Sequence, residues 1–266
     1  MNSKLTALGL LLVLLGPVAC GGSERQADNP LRYSENAKRE YEEALDAYFD
    51  RDWEEAILLM EEVRRKYGYS RYSRLAQLRI ADATFRQQKL PEAVTAYKGF
   101  VHDYPNDPEV SYARYRMAEA LYEQCRPALL LPPLEERDLA TVHDAHQVLS
   151  ELLSDYPEHK RLPEMRHMVE VVTGILARHE IYVSRFYLQR DNFKAAAARA
   201  SYAIETYPGS GLTPEAMVLL AEVYFKMGQD HRARSLLKHV LGTYPDSPFV
   251  VPARRFLKEL ASAEAE

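Results

Sequence analysis

Neither cysteine of this chain has a base and an orienting partner beside it in sequence, as covalent catalysis requires. Cys125 precedes Arg126-Pro127, where a helix is expected to end, and reads as a partly buried structural thiol. His143 and His146 stand three apart with Asp144 between them, a spacing that places two imidazoles on one helical face. A third ligand is missing nearby and the zincin spacing is absent, so they read as surface histidines. The doublets Glu42-Glu43, Glu54-Glu55, Glu61-Glu62 and Glu135-Glu136 imitate paired carboxylates. Sequence neighbours diverge by about 100° around a helix, so each doublet reads as a solvated face. The 11 glycines form no phosphate-cradling pattern. The expectation is no catalytic residue, no metal set and no cofactor.

Cys20 has a different context. Met1–Lys4 carries one positive charge, Leu5–Leu15 is an apolar run, and Gly16-Pro17-Val18-Ala19 leads into the cysteine. The run is too short to span a membrane and has the shape of a secretory signal. A cysteine directly after small residues resembles a bacterial lipobox, with Pro17 where that motif usually has Leu, and implies acylation of Cys20, with palmitate among the chains. Gly21 following it resembles sorting to the outer membrane. Residues 1–19 are thus expected to be a signal peptide. Residues 20–34 are expected to be a lipidated cysteine and a flexible tether, whose fourteen coil residues would reach roughly 20 Å.

Composition narrows the remainder. The 266 residues are 47% apolar and 27% charged, which excludes bulk disorder. No internal stretch approaches the roughly 20 apolar residues of a spanning helix. A formal charge of −5 with dispersed Lys and Arg leaves no footprint for nucleic acid.

What must position any functional side chain is a repeat. Tyr104-Pro105, Tyr156-Pro157, Tyr207-Pro208 and Tyr244-Pro245, with Tyr67-Gly68 as an imperfect fifth, step by 37, 52, 51 and 37 residues. Twelve residues before each second member stand Ala56, Ala93, Ala145, Ala196 and Ala233. Twelve further back stand Ala44, Ala81, Ser184 and Ala221, the third unit alone breaking the spacing. Small residues at fixed offsets let two antiparallel helices approach, and the proline stops the second. The pattern resembles the tetratricopeptide repeat. It predicts an all-α, right-handed solenoid of five tetratricopeptide-like helix hairpins plus a C-terminal capping helix. The units are placed at about 37–70, 74–107, 111–159, 163–210 and 214–247, with a cap at 249–263, in one domain over 35–266. The extra length of the third unit is predicted to be a loop, Gln124–Glu136, and that of the fourth a longer first helix, Pro163–Gln189.

The fourth unit narrows the resemblance. It reads Leu176-Ala177-Arg178-His179-Glu180-Ile181-Tyr182-Val183, then Tyr187-Leu188-Gln189-Arg190-Asp191-Asn192-Phe193-Lys194-Ala195-Ala196 through Arg199. With the lipobox and five repeats, the chain resembles the BamD lipoprotein family, also called ComL or YfiO. That resemblance implies a lipid-anchored, non-enzymatic scaffold at the periplasmic face of the outer membrane. It would sit in the β-barrel assembly (Bam) complex, binding the periplasmic domains of the barrel subunit BamA and unfolded outer-membrane protein segments. A periplasmic repeat lipoprotein of Tol-type or peptidoglycan coordination is the competing reading, and an enzyme the remote one.

Binding surfaces follow from the register. The first helix of each unit faces the concave side, which places Tyr41, Tyr48, Leu78, Asp82, Phe85 and Arg86 at a groove suited to an extended peptide. Packing against the neighbouring unit is the other use of the same residues. Leu129, Leu130 and Leu131 lie in the inserted loop, where they fold back or meet a partner. Arg199 is the one charge in Ala195–Ala203 and could pair with a partner carboxylate or within the chain. In the resembling family the matching arginine lies on the part that faces BamA.

Overall fold

The computed structural model describes residues 30–126, 133 and 136–263. Among these residues the chain is all helix and turn. In order the helices are α1 (Pro30–Phe49), α2 (Trp53–Lys66), α3 (Arg71–Arg86), α4 (Leu90–Asp103), α5 (Val110–Gln124) and α6 (Ala140–Asp155). They are followed by α7 (Leu162–Leu188), α8 (Phe193–Thr206), α9 (Thr213–Lys226), α10 (Asp230–Thr243) and α11 (Val250–Ala263). Consecutive helices pack in antiparallel pairs and each odd-numbered helix up to α9 also touches the next odd one, which makes an all-α solenoid.

Local chemistry sets the helix ends. Asp52, Ser70 and Asn192 cap α2, α3 and α8, each side chain accepting the backbone N–H three residues on. Pro91, Pro163 and Pro214 stand in first turns, where the missing N–H costs nothing. Tyr104, Tyr156 and Tyr244 close α4, α6 and α10, each N–H returning to a carbonyl four residues back before the proline ends the helix.

The small-residue register is the seam of each hairpin. Ala44, Ala56, Ala81, Ala93, Ala145, Ala196, Ser184, Ala221 and Ala233 are all exposed by 1% or less. Ser184 keeps its place by donating its hydroxyl to the Ala196 carbonyl at 2.8 Å, joining the two small positions of unit four. In the third unit, whose spacing the sequence left broken, the seat is taken by Ala118, thirteen residues after Pro105 as Ala81 is after Gly68.

The long helix appears at α7, one residue from the predicted limits at each end. Its first turns bring Met165, Met168, Val172 and Leu176 into one apolar cluster with Ala118, Leu121, Leu149 and Leu152 of unit three. The inserted length of unit four therefore covers unit three. The cap, α11, seats Ala253 and Leu260 against α10.

One boundary is corrected. The segment 20–34 was expected to be tether throughout, but α1 begins at Pro30. Proline suits the first position of a helix, and Tyr33 meets Tyr67 edge-on at 5.3 Å, so residues 30–34 already belong to the packed domain. Cys20 and the leucines Leu129, Leu130 and Leu131 lie outside the described residues.

Candidate functional site

The residues expected to line a groove in units one and two are mostly drawn inward. Tyr41, Leu78, Asp82 and Phe85 are buried, Tyr48 is half-buried and Arg86 is exposed. Leu78 corrects the expectation: fully covered, it packs with Ala93, Tyr97 and Phe100 of α4 and offers nothing to a ligand.

Asp82 is the centre of a network gathered from three helices. Its Oδ1 accepts the Tyr97 hydroxyl at 2.7 Å and the Tyr112 hydroxyl at 3.0 Å, and its Oδ2 receives Arg79 at 2.5 Å. Arg116 approaches Oδ1 at 3.9 Å, pairs with Glu119, and lays its guanidinium 4.0 Å from the Phe85 ring centre. Burial and the negative charge of Asp82 push the Tyr97 and Tyr112 phenols well above their usual range, so both stay protonated donors. Burial works against the charge on Arg79, but Asp82 more than offsets it and the guanidinium stays charged. A carboxylate between two cations and two hydroxyls has little left to offer a ligand, and Arg79 and Tyr112 around it are only partly exposed.

Arg79, Tyr112 and Arg116 were missed in the sequence. A signal existed: Arg79-x-x-Asp82 recurs as Arg116-x-x-Glu119 at the 37-residue step of the repeat. Tyr112 also lines a cavity of about 610 Å³ with Glu109, Tyr115, Tyr156, His159 and Arg161. There His159 stacks on Tyr115 at 5.5 Å and Arg161 sits 5.4 Å from the same ring. Tyr112 thus links the inner network to an open, aromatic-walled hollow.

Units four and five present a second charged surface. Arg199 is not an unpaired charge: its Nη1 donates to both oxygens of Glu180, at 3.0 and 3.3 Å, while its side chain stays about half exposed. Glu215, nearly buried at the start of α9, accepts Arg185 at 2.7 Å and has Arg178 at 3.9 Å. Arg178, Arg185 and Arg199 turn cationic faces outward from carboxylates held within.

The remaining chemistry-bearing residues are accounted for by packing. Cys125 is buried, hydrogen-bonds the Leu121 carbonyl at 3.2 Å, and burial pushes its thiol up to about 11, far from a reactive thiolate. His146 meets Tyr207 edge-on at 6.2 Å.

Residues 34–239 match the YfiO family, described as an outer membrane lipoprotein. The chain belongs to this family. It is 28% identical over 254 residues to the outer membrane protein assembly factor BamD of Caulobacter vibrioides, covering 95% of this chain and 80% of that one. It is 25% identical to the BamD of Neisseria meningitidis serogroup A, covering 95% of each. To the BamD of Xylella fastidiosa strain 9a5c it is 25% identical, covering 92% of this chain and 85% of that one. Among solved structures, the TPR2AB domain of yeast Sti1 in complex with pHSP90 aligns at 14% identity and a TM-score of 0.44, over 86% of this chain and 87% of that one. Membership of an assembly lipoprotein family sets the enzyme reading aside: this YfiO-family chain is not an enzyme.

Proposed function

We propose that this protein is a lipid-anchored scaffold of the outer-membrane β-barrel assembly complex. It would hold a BamA-type barrel subunit on units four and five and receive unfolded outer-membrane protein segments on the concave side of units one to three. The observation that carries the reading is the family match over residues 34–239, reinforced by BamD relatives that align along nearly the whole chain. Geometry supports the division. Near Asp82 an extended segment would meet Tyr48, Arg86 and the hollow beside Tyr112 and Tyr115, which suits a peptide with apolar side chains. At the other end, the exposed half of Arg199 can add a partner carboxylate, with Glu180 fixing its rotamer beforehand.

The test is co-purification from mildly detergent-extracted membranes, with peptide affinity measured in parallel. Recovery of the barrel subunit supports the scaffold; recovery of Tol or cell-wall factors in its place overturns it. Arg199→Glu is expected to weaken the complex, because it sets a carboxylate against Glu180 and against the partner, and to leave peptide affinity unchanged. Tyr48→Ala with Arg86→Ala is expected to do the reverse. Cys20→Ser is expected to abolish acyl labelling and release the protein from the membrane fraction.

A further inference from the structure

The first hairpin has two poles of opposite charge. Residues 42–55, around the α1–α2 turn, hold seven acidic residues and one basic. Residues 30–40 and 62–74, which form the opposite end, hold eight basic residues and three acidic. The two segments meet in space: Tyr33 touches Tyr67, and Glu40 accepts the Tyr67 hydroxyl at 2.7 Å and Lys66 at 3.0 Å. Glu40 and Glu62 are engaged with Lys66, and Glu62 also meets Arg65 at 3.5 Å, so the acids of this end are largely neutralised within it. Arg32, Arg64, Arg65 and Arg71 remain exposed, and beside them Tyr69 is 103% exposed, an aromatic ring held wholly outside the fold. The fourteen residues of α2 separate the poles by about 20 Å.

The chain also enters the domain at the basic pole, because α1 starts there at Pro30. Cys20 lies ten residues earlier, and ten residues span at most about 35 Å in any conformation. An acyl chain on Cys20 would therefore keep this end, the nearer of the two poles along the chain, within about 35 Å of the bilayer. Arginines next to an anchor and an aromatic ring at the same edge are the combination that binds anionic headgroups. Tyrosine is favoured at that depth, where its ring is half in the acyl boundary and its hydroxyl in water.

We propose that Arg32, Arg64, Arg65, Arg71 and Tyr69 form a membrane-docking surface for anionic phospholipid that sets unit one upright on the bilayer with its acidic pole turned away. The proposal takes its orientation from the lipid-anchor reading, but the surface acts without the acyl group, and the experiment separates the two. The chain from residue 20 with Cys20→Ser, which cannot be acylated, is tested by flotation with vesicles. One set is phosphatidylethanolamine with phosphatidylglycerol and the other phosphatidylethanolamine with phosphatidylcholine.

Binding is expected to the anionic vesicles alone and to weaken with salt. Arg64→Ala with Arg65→Ala and Arg71→Ala is expected to reduce it at least roughly tenfold, since each lost charge accounts for about fivefold. Arg64→Lys with Arg65→Lys is expected to retain it, as is Asp50→Asn with Glu54→Gln at the far pole. The single tryptophan, Trp53, opens α2 at the acidic pole and serves as a built-in reporter: brominated lipid should leave its fluorescence unquenched. Equal binding to neutral vesicles, full binding by the folded alanine variant, or quenching of Trp53 would each overturn the proposal. So would displacement by inorganic phosphate beyond that by chloride of equal ionic strength, which would mark a phosphate-ion site. Loss of acyl labelling at Cys20 in cells bears on the anchor alone.

Discussion

Asp82 shows what a single buried charge demands of its surroundings. With 1% of its surface exposed it accepts two tyrosine hydroxyls and Arg79, with Arg116 close by and paired to Glu119. Removing the carboxylate takes this acceptor from Arg79 and from the Tyr97 and Tyr112 hydroxyls, while Arg116 keeps Glu119. Asp82→Ala is therefore expected to cost about 3–5 kcal/mol in urea unfolding. Glu43→Ala, at an exposed residue outside any ion pair, should stay within about 0.5 kcal/mol. Similar losses at both would mean the network contributes no more than a solvated charge. His146 makes the complementary case in acid. Burial first, and His143 second, lower its pKa below 6.5, so in the window beneath 6.5 the unfolded chain takes up the proton more readily than the fold. Stability should fall as pH drops through that window. The fall in Tm between neutral and mildly acidic buffer should be smaller in His146→Gln, and an identical fall would assign the acid sensitivity to other groups.

At the scale of elements, the turn between the two helices of a unit repeats one backbone solution. Arg51, Gln88, Asp191 and Gly228 all have φ between 55° and 70°, the left-handed region, at matching places in units one, two, four and five. Only unit five uses glycine there. Gly228→Ala places a Cβ in that conformation and is expected to destabilise by about 1 kcal/mol, although nothing stands near the added methyl. Gly99, inside α4, has helical geometry and Gln77 no nearer than 4.0 Å, so Gly99→Ala should stabilise by a similar amount. Thermal melts of opposite sign for two glycine-to-alanine changes check the argument; equal signs defeat it. These elements were largely legible in the sequence because helix contact demands a small side chain at a fixed interval, and an interval survives in one dimension. The α7 extension was legible for a related reason, an unbroken helical stretch after Pro163. The Asp82 network was legible only in its Arg79-x-x-Asp82 and Arg116-x-x-Glu119 pairs, which recur at the 37-residue step; its tyrosine partners come from α4 and α5, and nothing in one dimension joins them to Asp82. Leu78 was misread on the same ground: register gives the side of a helix, while depth depends on what α4 brings against it.

Across the whole molecule, stability should be divided by unit, because each helix meets only its near neighbours along the chain. The exception is α7. Its 27 residues run about 40 Å, twice the length of a typical helix here, and its two halves serve different units. The first half lies in the cluster of unit three with Leu149 and Leu152; the second packs Ile181 against Ala203 of α8 and Leu219 of α9. A rigid helix shared by two cores makes them one cooperative block, whereas α10 and α11 do not pack against α7 and reach it only through α9. Leu176 sits in the middle of α7 with 2% exposed, and Leu237 sits midway along α10, fully buried. Either leucine cut to alanine removes the same atoms from a packed core and should cost about 2–5 kcal/mol locally. Their reach should differ. Hydrogen exchange in Leu176→Ala is expected to accelerate in α5, α6, α7 and α8 together, while in Leu237→Ala the acceleration should stop at α9, α10 and α11 and leave α1–α4 unchanged. If Leu237→Ala loosened α5 as much as Leu176→Ala did, the stack would be melting as a single unit and α7 would have no special coupling role. The pattern of protection thus decides whether α7 joins the units on either side of it into one block.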